Sequence, residues 1–363
     1  MYYFDHAAST PTLSCAIEAF RRAPQGNPDS THAAGRAAKK SLEESREIIA
    51  SCIRADPKEI YFCSGGTEAN NLAVHALRKY GAIVRGSTSH ASVWETVGCE
   101  KPYQQFPCLS APYVNNETGE ILSPEYLAAA RANYDLLHLD GVAAVGQTYV
   151  DVQRLDCDCL TAAGHKFGAP QGIGFIYARR HTLRISPLFA GGGQEGGVRP
   201  GTPSVALAAA MAAALSYRTE NMYPALRHMS AIRQMIEDLV PSISGGHINA
   251  KDYGWTASPH IISIRFDDIP SAQLLPLLDA QGVCCSAGSA CSAGSREPSR
   301  VLMASGLSEK EALETVRISI CPETTQHDAE ILLSGAYLNA CHFELADASR
   351  LARELGVDEA EIT

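Results

Sequence analysis

Apolar residues recur at two spacings along this chain, and the two alternate through its first two thirds. Within residues 39–54, Leu42, Ile49, Cys52 and Ile53 fall at helical intervals. Ile60-Tyr61-Phe62-Cys63 follows as a run short enough for a buried strand. Ser64-Gly65-Gly66-Thr67-Glu68 then opens a second helix whose Leu72, Ala73, Ala76 and Leu77 share one face. Further buried strands are predicted at Ile83-Val84 and over residues 136–139, 159–162 and 173–177. Strands alternating with helices in this way predict an α/β sheet with covering helices.

After a glycine-rich stretch at 191–201, two helices are predicted over residues 204–239. Beyond them the texture changes. Ile261-Ile262-Ser263-Ile264-Arg265-Phe266 alternates like a half-buried strand, residues 271–278 read as a helix, and 285–299 form a loop rich in Ser, Ala and Gly. A boundary is placed near Met222, inside a helical connection. It gives a large domain over 15–222 and a small domain from 1–14 and 223–363 that carries the loop with Cys291. The acidic tail after Glu344 is expected to be a solvated helix.

The chain's 363 residues suffice for two or three domains with a sizeable core. A net charge of -10 argues against a nucleic-acid groove, which needs clustered Lys and Arg. Small anionic ligands stay compatible with it, because backbone N–H groups bind them locally. The longest small-apolar run, residues 206–215, is too short to span a bilayer and reads as a buried helix. Met1-Tyr2-Tyr3-Phe4-Asp5 lacks the basic start and apolar stretch of a signal peptide. The twelve cysteines are therefore expected as reduced thiols in the cytoplasm rather than as a disulfide framework.

Five features carry chemistry. Lys166, in Ala163-Gly164-His165-Lys166, follows a strand, where a lysine held near a carbonyl can form a Schiff base or simply be a surface charge. Asp140 ends the strand before it. A carboxylate there suits the ring nitrogen of pyridoxal phosphate, whose protonated ring is the better electron sink, or caps a turn beginning at Gly141. If both strands are parallel, the two residues open at one sheet edge. Strand, glycine turn and helix start at Ser64-Gly65-Gly66-Thr67 offer N–H groups to a phosphate, although most such turns are only turns. Cys291 sits among small residues, Gly288-Ser289-Ala290-Cys291-Ser292-Ala293-Gly294-Ser295, the setting of an accessible thiol. Arg317, within an apolar strand-like stretch, is either a clamp for an α-carboxylate or half of a structural ion pair. Cys284 and Cys285 read as packed strand residues of the small domain, and Cys157 and Cys159 as structural.

Read in order, the motifs Tyr3-Phe4-Asp5-His6-Ala7-Ala8-Ser9-Thr10-Pro11, Ser64-Gly65-Gly66-Thr67-Glu68-Ala69-Asn70-Asn71, Val114-Asn115-Asn116-Glu117-Thr118-Gly119, Asp140, His165-Lys166, Arg199-Pro200-Gly201-Thr202 and Ser289-Ala290-Cys291 make a specific series. The chain resembles the cysteine desulfurases of the class V aminotransferase fold, in the NifS/IscS-like branch. The resemblance implies the type I fold of pyridoxal-phosphate enzymes, with a large, mostly parallel mixed sheet and a smaller α+β domain. It implies that Lys166 anchors the cofactor, Asp140 holds the ring nitrogen and His90 stacks on the ring. Gly66, Thr67 and His165 would bind the phosphate, with Thr202 supplied by the other subunit of a homodimer. Asn116 and Arg317 would hold the substrate carboxylate. Cys291 would take sulfur from L-cysteine, release alanine and pass the sulfur to an acceptor protein for iron–sulfur cluster assembly or tRNA or cofactor thiolation. Alternatives are a selenocysteine lyase, another class V pyridoxal enzyme, or a weakly active sulfur-carrier or assembly protein.

Four departures from the family pattern stand out. Ala143 replaces a glutamine that meets the ring oxygen, and Ala163 a serine that meets the phosphate. Each substitution removes about 1.5–3 kcal/mol of hydrogen bonding to charge. Gly196 and Cys321-Pro322-Glu323 lack arginines common in the family. Only residues 91–115, 25 positions, separate His90 from Asn116, too few for the usual strand–helix unit, so the sheet or a covering helix is expected to be trimmed on that side.

Overall fold

A computed structural model describes residues 1–98, 107–254, 256–288 and 297–339. Cys291 and the acidic tail lie outside the described residues. In chain order the elements begin with β1 (Tyr2–Tyr3), α1 (Ser14–Arg22), α2 (Ala33–Ile53), β2 (Ile60–Cys63), α3 (Gly66–Leu77), β3 (Ile83–Arg85), α4 (Ala91–Val97) and β4 (Cys108–Pro112). They continue with α5 (Pro124–Asn133), β5 (Leu136–Asp140), β6 (Cys159–Ala163), β7 (Gly174–Ala178), α6 (Val205–Glu220) and α7 (Met222–Leu239). The last are β8 (Gly246–Ile248), α8 (Asn249–Tyr253), β9 (Ile261–Phe266), α9 (Ser271–Ala280), β10 (Val283–Cys284), α10 (Arg300–Ala304), α11 (Glu309–Leu313) and β11 (Thr315–Ser319).

The described residues form two compact units. One comprises His6–Asn116 and Glu120–Leu226 and is here called the sheet unit. The other comprises Met1–Asp5, Glu117–Gly119 and the chain from Arg227 onward. Helix α7 begins in the first and continues into the second.

The sheet unit is built on six strands in the order β2-β7-β6-β5-β4-β3. Strands β3 to β6 run parallel, while β7 is antiparallel to both of its neighbours. Every residue of β4 to β7 is buried, which is why these segments read as continuous apolar runs rather than alternating ones. Helix α3 lays its Leu72, Ala73, Ala76 and Leu77 face into the core beneath β6 and β7. The alanine-rich run at 206–215 is α6, whose small side chains let it lie against both α1 and α2. Between His90 and Asn116 the described residues hold one seven-residue helix, α4, and one strand, β4. Among the described residues β3 ends the sheet on that side.

The other unit carries an antiparallel sheet, β11-β9-β8, and a parallel pair, β1 with β10. Arg317 pairs with Ser263 across β11 and β9. Cys284 lies in β10, whereas Cys285 follows it outside the strand, half-buried. Its short elements β1, β8, α8, α10 and α11 span two to five residues each, too few to show a period in the sequence.

Candidate active site

The parallel pairing of β5 with β6 decides the geometry. Asp140, the last residue of β5, stands in register with Thr161, and β6 ends two residues later at Ala163. A single 3-10 turn, Gly164–Lys166, then carries His165 and Lys166 away from the same sheet edge. The sequence expectation that both strands open together is thus the observed arrangement.

Asp140 is 6% exposed and each of its oxygens accepts a bond. Oδ1 takes the Val142 N–H at 3.0 Å, which is the turn-capping role that the sequence allowed. Oδ2 takes the Asn70 amide at 2.8 Å. The capping reading is thus observed, and the second oxygen is held by a side chain of α3. Lys166 is half-buried, and its amine donates to the carbonyls of Ala7 and Ala8 at 2.5 and 2.9 Å. Those carbonyls belong to the opening motif. The backbone oxygen of Lys166 accepts from Gln147 Nε2 at 2.6 Å and Thr10 Oγ1 at 3.1 Å, so the turn beneath the amine is held on two sides. His165 Nδ1 lies 3.4 Å from Ser9 Oγ. Burial, helped by the neighbouring Lys166 charge, pushes the His165 pKa down to about 4, leaving it neutral at pH 7.

The N-terminus of α3 starts at Gly66, with Thr67 exposed in its first turn. Glycine is required at Gly66 because a Cβ there would sit 2.7 Å from Val142 Cγ2. At Gly174 on β7 a Cβ would sit 2.7 Å from Gly65 Cα, so the strand can close against the turn only without a side chain. At Gly65 itself a Cβ would meet nothing within 4 Å, so there is open space beside the helix start. The first-turn N–H groups of α3, beside Val142 and Ala163, suit the phosphate of pyridoxal phosphate, and a neutral His165 can donate to it. The residues present fit the cofactor.

His90 is the N-cap of α4, and its Nδ1 accepts from the Ser92 backbone at 3.1 Å. Asn116 ends the sheet unit's first segment and is half-buried. Thr202 is exposed in the loop before α6. That loop is pinned twice. Arg199 pairs with Glu68 of α3 at 3.0 Å. Glu195 takes two bonds from Arg46, at 2.7 and 2.8 Å, and one from the Phe62 N–H at 2.8 Å. Burial favours a protonated Glu68, but bonds from Ser64 and Arg199 outweigh it and hold its pKa below the usual value.

In the other unit Arg317 is 1% exposed and donates to Asp5 at 2.8 Å. The ion pair that the sequence allowed is thus the observed contact of this guanidinium. Glu117 accepts from Ser299 at 2.6 Å, and burial raises its pKa. A Cβ on Gly288 would lie 2.6 Å from the same Glu117 oxygen, so the flanks on both sides of the loop that contains Cys291 meet one carboxylate.

Sequence reasoning missed Asn70, Ser92, Glu68, Glu195, Asp5 and Glu117. Asn70 left a signal: it lies three residues before Ala73 and seven before Leu77, on the apolar face of α3. A polar residue there must find partners.

The chain belongs to the aminotransferase class-V family, which it matches over residues 2–98 and 104–332. Its architecture is accordingly the type I fold of pyridoxal-phosphate enzymes. It is 32% identical to an IscS-like cysteine desulfurase of Mycobacterium tuberculosis over 393 residues, which covers 96% of this chain and 99% of that one. Among solved structures it resembles a NifS-like protein, with a TM-score of 0.84 at 26% identity, over 94% of this chain and 99% of that one. It also resembles SspA in complex with cysteine, with a TM-score of 0.72 at 28% identity, over 90% and 100% of the two chains.

Proposed function

We propose that this chain is a pyridoxal-phosphate-dependent cysteine desulfurase that moves sulfur from L-cysteine to Cys291. The observation that carries the reading is the parallel β5–β6 pairing, which sets Asp140 and Lys166 at one sheet edge beside the open start of α3. Full-length similarity to a desulfurase supports the substrate.

Pyridoxal phosphate, when bound, supplies an electron sink conjugated to the substrate's amino-bearing carbon. Lys166 would hold the cofactor and move substrate protons. Asp140, fixed by two donors, would hold the ring nitrogen, and His90 would stack on the ring and deliver a proton. Gly66, Thr67 and His165 would hold the phosphate, joined by Thr202 of a second copy in a homodimer. Asn116 and Arg317 are the groups suited to the substrate carboxylate. The Cys291 thiolate would attack the substrate sulfur, so that an S–S bond forms as the C–S bond breaks. The electron pair stays with carbon, which takes up a proton to become alanine, and the sulfur remains as a persulfide for an acceptor protein.

Protein loaded with pyridoxal phosphate and given L-cysteine should release alanine and carry one additional sulfur on the peptide containing Cys291. Undiminished alanine release from a Cys291→Ser variant would remove the proposed nucleophile. Transfer of the amino group to a keto acid without sulfur release would replace the reaction altogether.

A further inference from the structure

Asn70 is 1% exposed, and its one amide serves three partners. Nδ2 donates to Asp140 Oδ2 at 2.8 Å and to Ser92 Oγ at 2.9 Å, while Oδ1 accepts from Thr161 Oγ1 at 2.5 Å. The carboxylate can only accept, which fixes the orientation of the amide. With Asn70 donating to it, Ser92 Oγ keeps its own proton for His90 Nδ1, 2.8 Å away. The Ser92 backbone N–H points at the same nitrogen. Nδ1 of His90 is therefore an acceptor, and the proton of the neutral imidazole sits on Nε2.

The network behind Asn70 is oriented in the same sense. Thr161 gives its proton to Asn70 and so accepts from His138 Nε2, 3.2 Å away. Nδ1 of His138 is then left to accept from Ser110 Oγ at 2.8 Å. His138 is fully buried, and burial pushes its pKa down to about 4. Every donor in the row runs from Ser110 through His138, Thr161 and Asn70 toward Asp140 and His90.

We propose that Asn70 is a positioning residue for the pyridoxal chemistry: one amide orients the Asp140 carboxylate and, through Ser92, sets the tautomer of His90. The proposal rests on the roles assigned above to Asp140 and His90. An asparagine needed only for packing would lower stability when removed, yet leave the His90 tautomer and the cofactor's spectrum alone.

The test uses protein labelled with 15N-histidine, with the His90 signals assigned by their loss in His90→Gln. The unvaried protein should show an unprotonated Nδ1. In Asn70→Ala, Ser92 Oγ is released to accept, and a population with Nδ1–H should appear. In the Asn70→Ala/Ser92→Ala double variant the acceptor is gone, and the unprotonated Nδ1 should return. With pyridoxal phosphate added, Asn70→Ala should shift the visible absorption band and weaken cofactor binding about tenfold or more, the scale of one bond to a charged group. Ser92→Ala should leave cofactor binding unchanged. Asn70→Leu, close in volume, serves if the alanine variant does not fold. A variant at Asn70 that keeps both the tautomer and the absorption band of the unvaried protein overturns the proposal, whatever its melting temperature. Absence of any cofactor band in the unvaried protein defeats the functional reading instead, while the histidine spectra still decide the link from Asn70 through Ser92.

Discussion

The Arg317 guanidinium and the Asp5 carboxylate are 2.8 Å apart, which ties β11 to the opening residues of the chain. Arg317 is 1% exposed, so losing the Asp5 charge leaves a buried cation less well compensated. Asp5→Asn is expected to lower stability by about 1.5–3 kcal/mol, read from urea unfolding at pH 7. Arg317→Lys should instead act on the substrate. A lysine cannot offer two parallel donors, so KM for L-cysteine should rise about tenfold or more with little change in kcat.

Burial keeps five of the described thiols protonated. It pushes the pKa of Cys63, Cys157 and Cys285 up to about 12 and of Cys108 and Cys321 up to about 11. A thiol reacts as its thiolate, so brief alkylation of the folded protein at pH 7.5 should leave these five unmodified and label Cys291. Peptide mass mapping checks the pattern, and extensive labelling of Cys63 or Cys157 without unfolding would contradict it.

His138 makes stability depend on pH in a defined window. Its folded pKa is lowered from 6.5 to about 4, chiefly by burial, against a smaller opposing effect of the Asp140 charge. Above pH 6.5 both folded and unfolded forms are neutral and its contribution is whole. As the pH falls from 6.5 to 4 the unfolded chain takes up a proton that the folded one refuses, and about 3 kcal/mol is lost. His138→Gln should flatten the stability profile by about one proton across that window. Denaturation midpoints measured at several pH values test this, and an unchanged slope would reject it.

Glu195 holds the loop before α6 at a backbone cost. Its φ of 50° and ψ of 39° lie in the left-handed region, yet its side chain is buried against Arg46 and the Phe62 N–H. Glu195→Gln retains the shape and loses the charge, leaving buried Arg46 with the half-exposed Glu43 as its remaining carboxylate partner. A loss of about 3 kcal/mol is expected, together with weaker cofactor retention if Thr202 acts from this loop in a homodimer. Calorimetry and cofactor release rates measure the two effects separately.

Much of the sheet unit was legible because its strands are buried on both faces and its helices are long. β2, β5, β6 and β7 begin or end within a residue or so of the apolar runs; in the other unit Ile261–Phe266 is β9, but buried on both faces rather than half-buried. Lys166 and Asp140 could be found because strand ends announce themselves. β4 was not assigned, since Cys108-Leu109-Ser110-Ala111-Pro112 has a serine and a terminal proline that mask the run. The hydrogen-bond partners were hidden for a different reason. Asn70 and Ser92 are 22 residues apart, Arg46 and Glu195 149, and Asp5 and Arg317 312. Only folding brings such pairs together, and no local spacing records them.

The place of β3 shows where a sheet of this kind could shorten with its inner register kept. Among the described residues β3 is the end of the ladder, three residues long, paired on one side with β4. Parallel strands are joined by crossovers rather than tight turns, so each strand–helix unit behaves as a module hung on the sheet. Excising a module at the rim leaves the register of β4, β5 and β6 untouched, whereas excising one from the middle would move Asp140 away from Lys166. A rim strand this short, with Arg85 stacked on Trp94, is also a poor template for edge-to-edge aggregation. Deletion at that rim is thus the kind of change the fold can absorb.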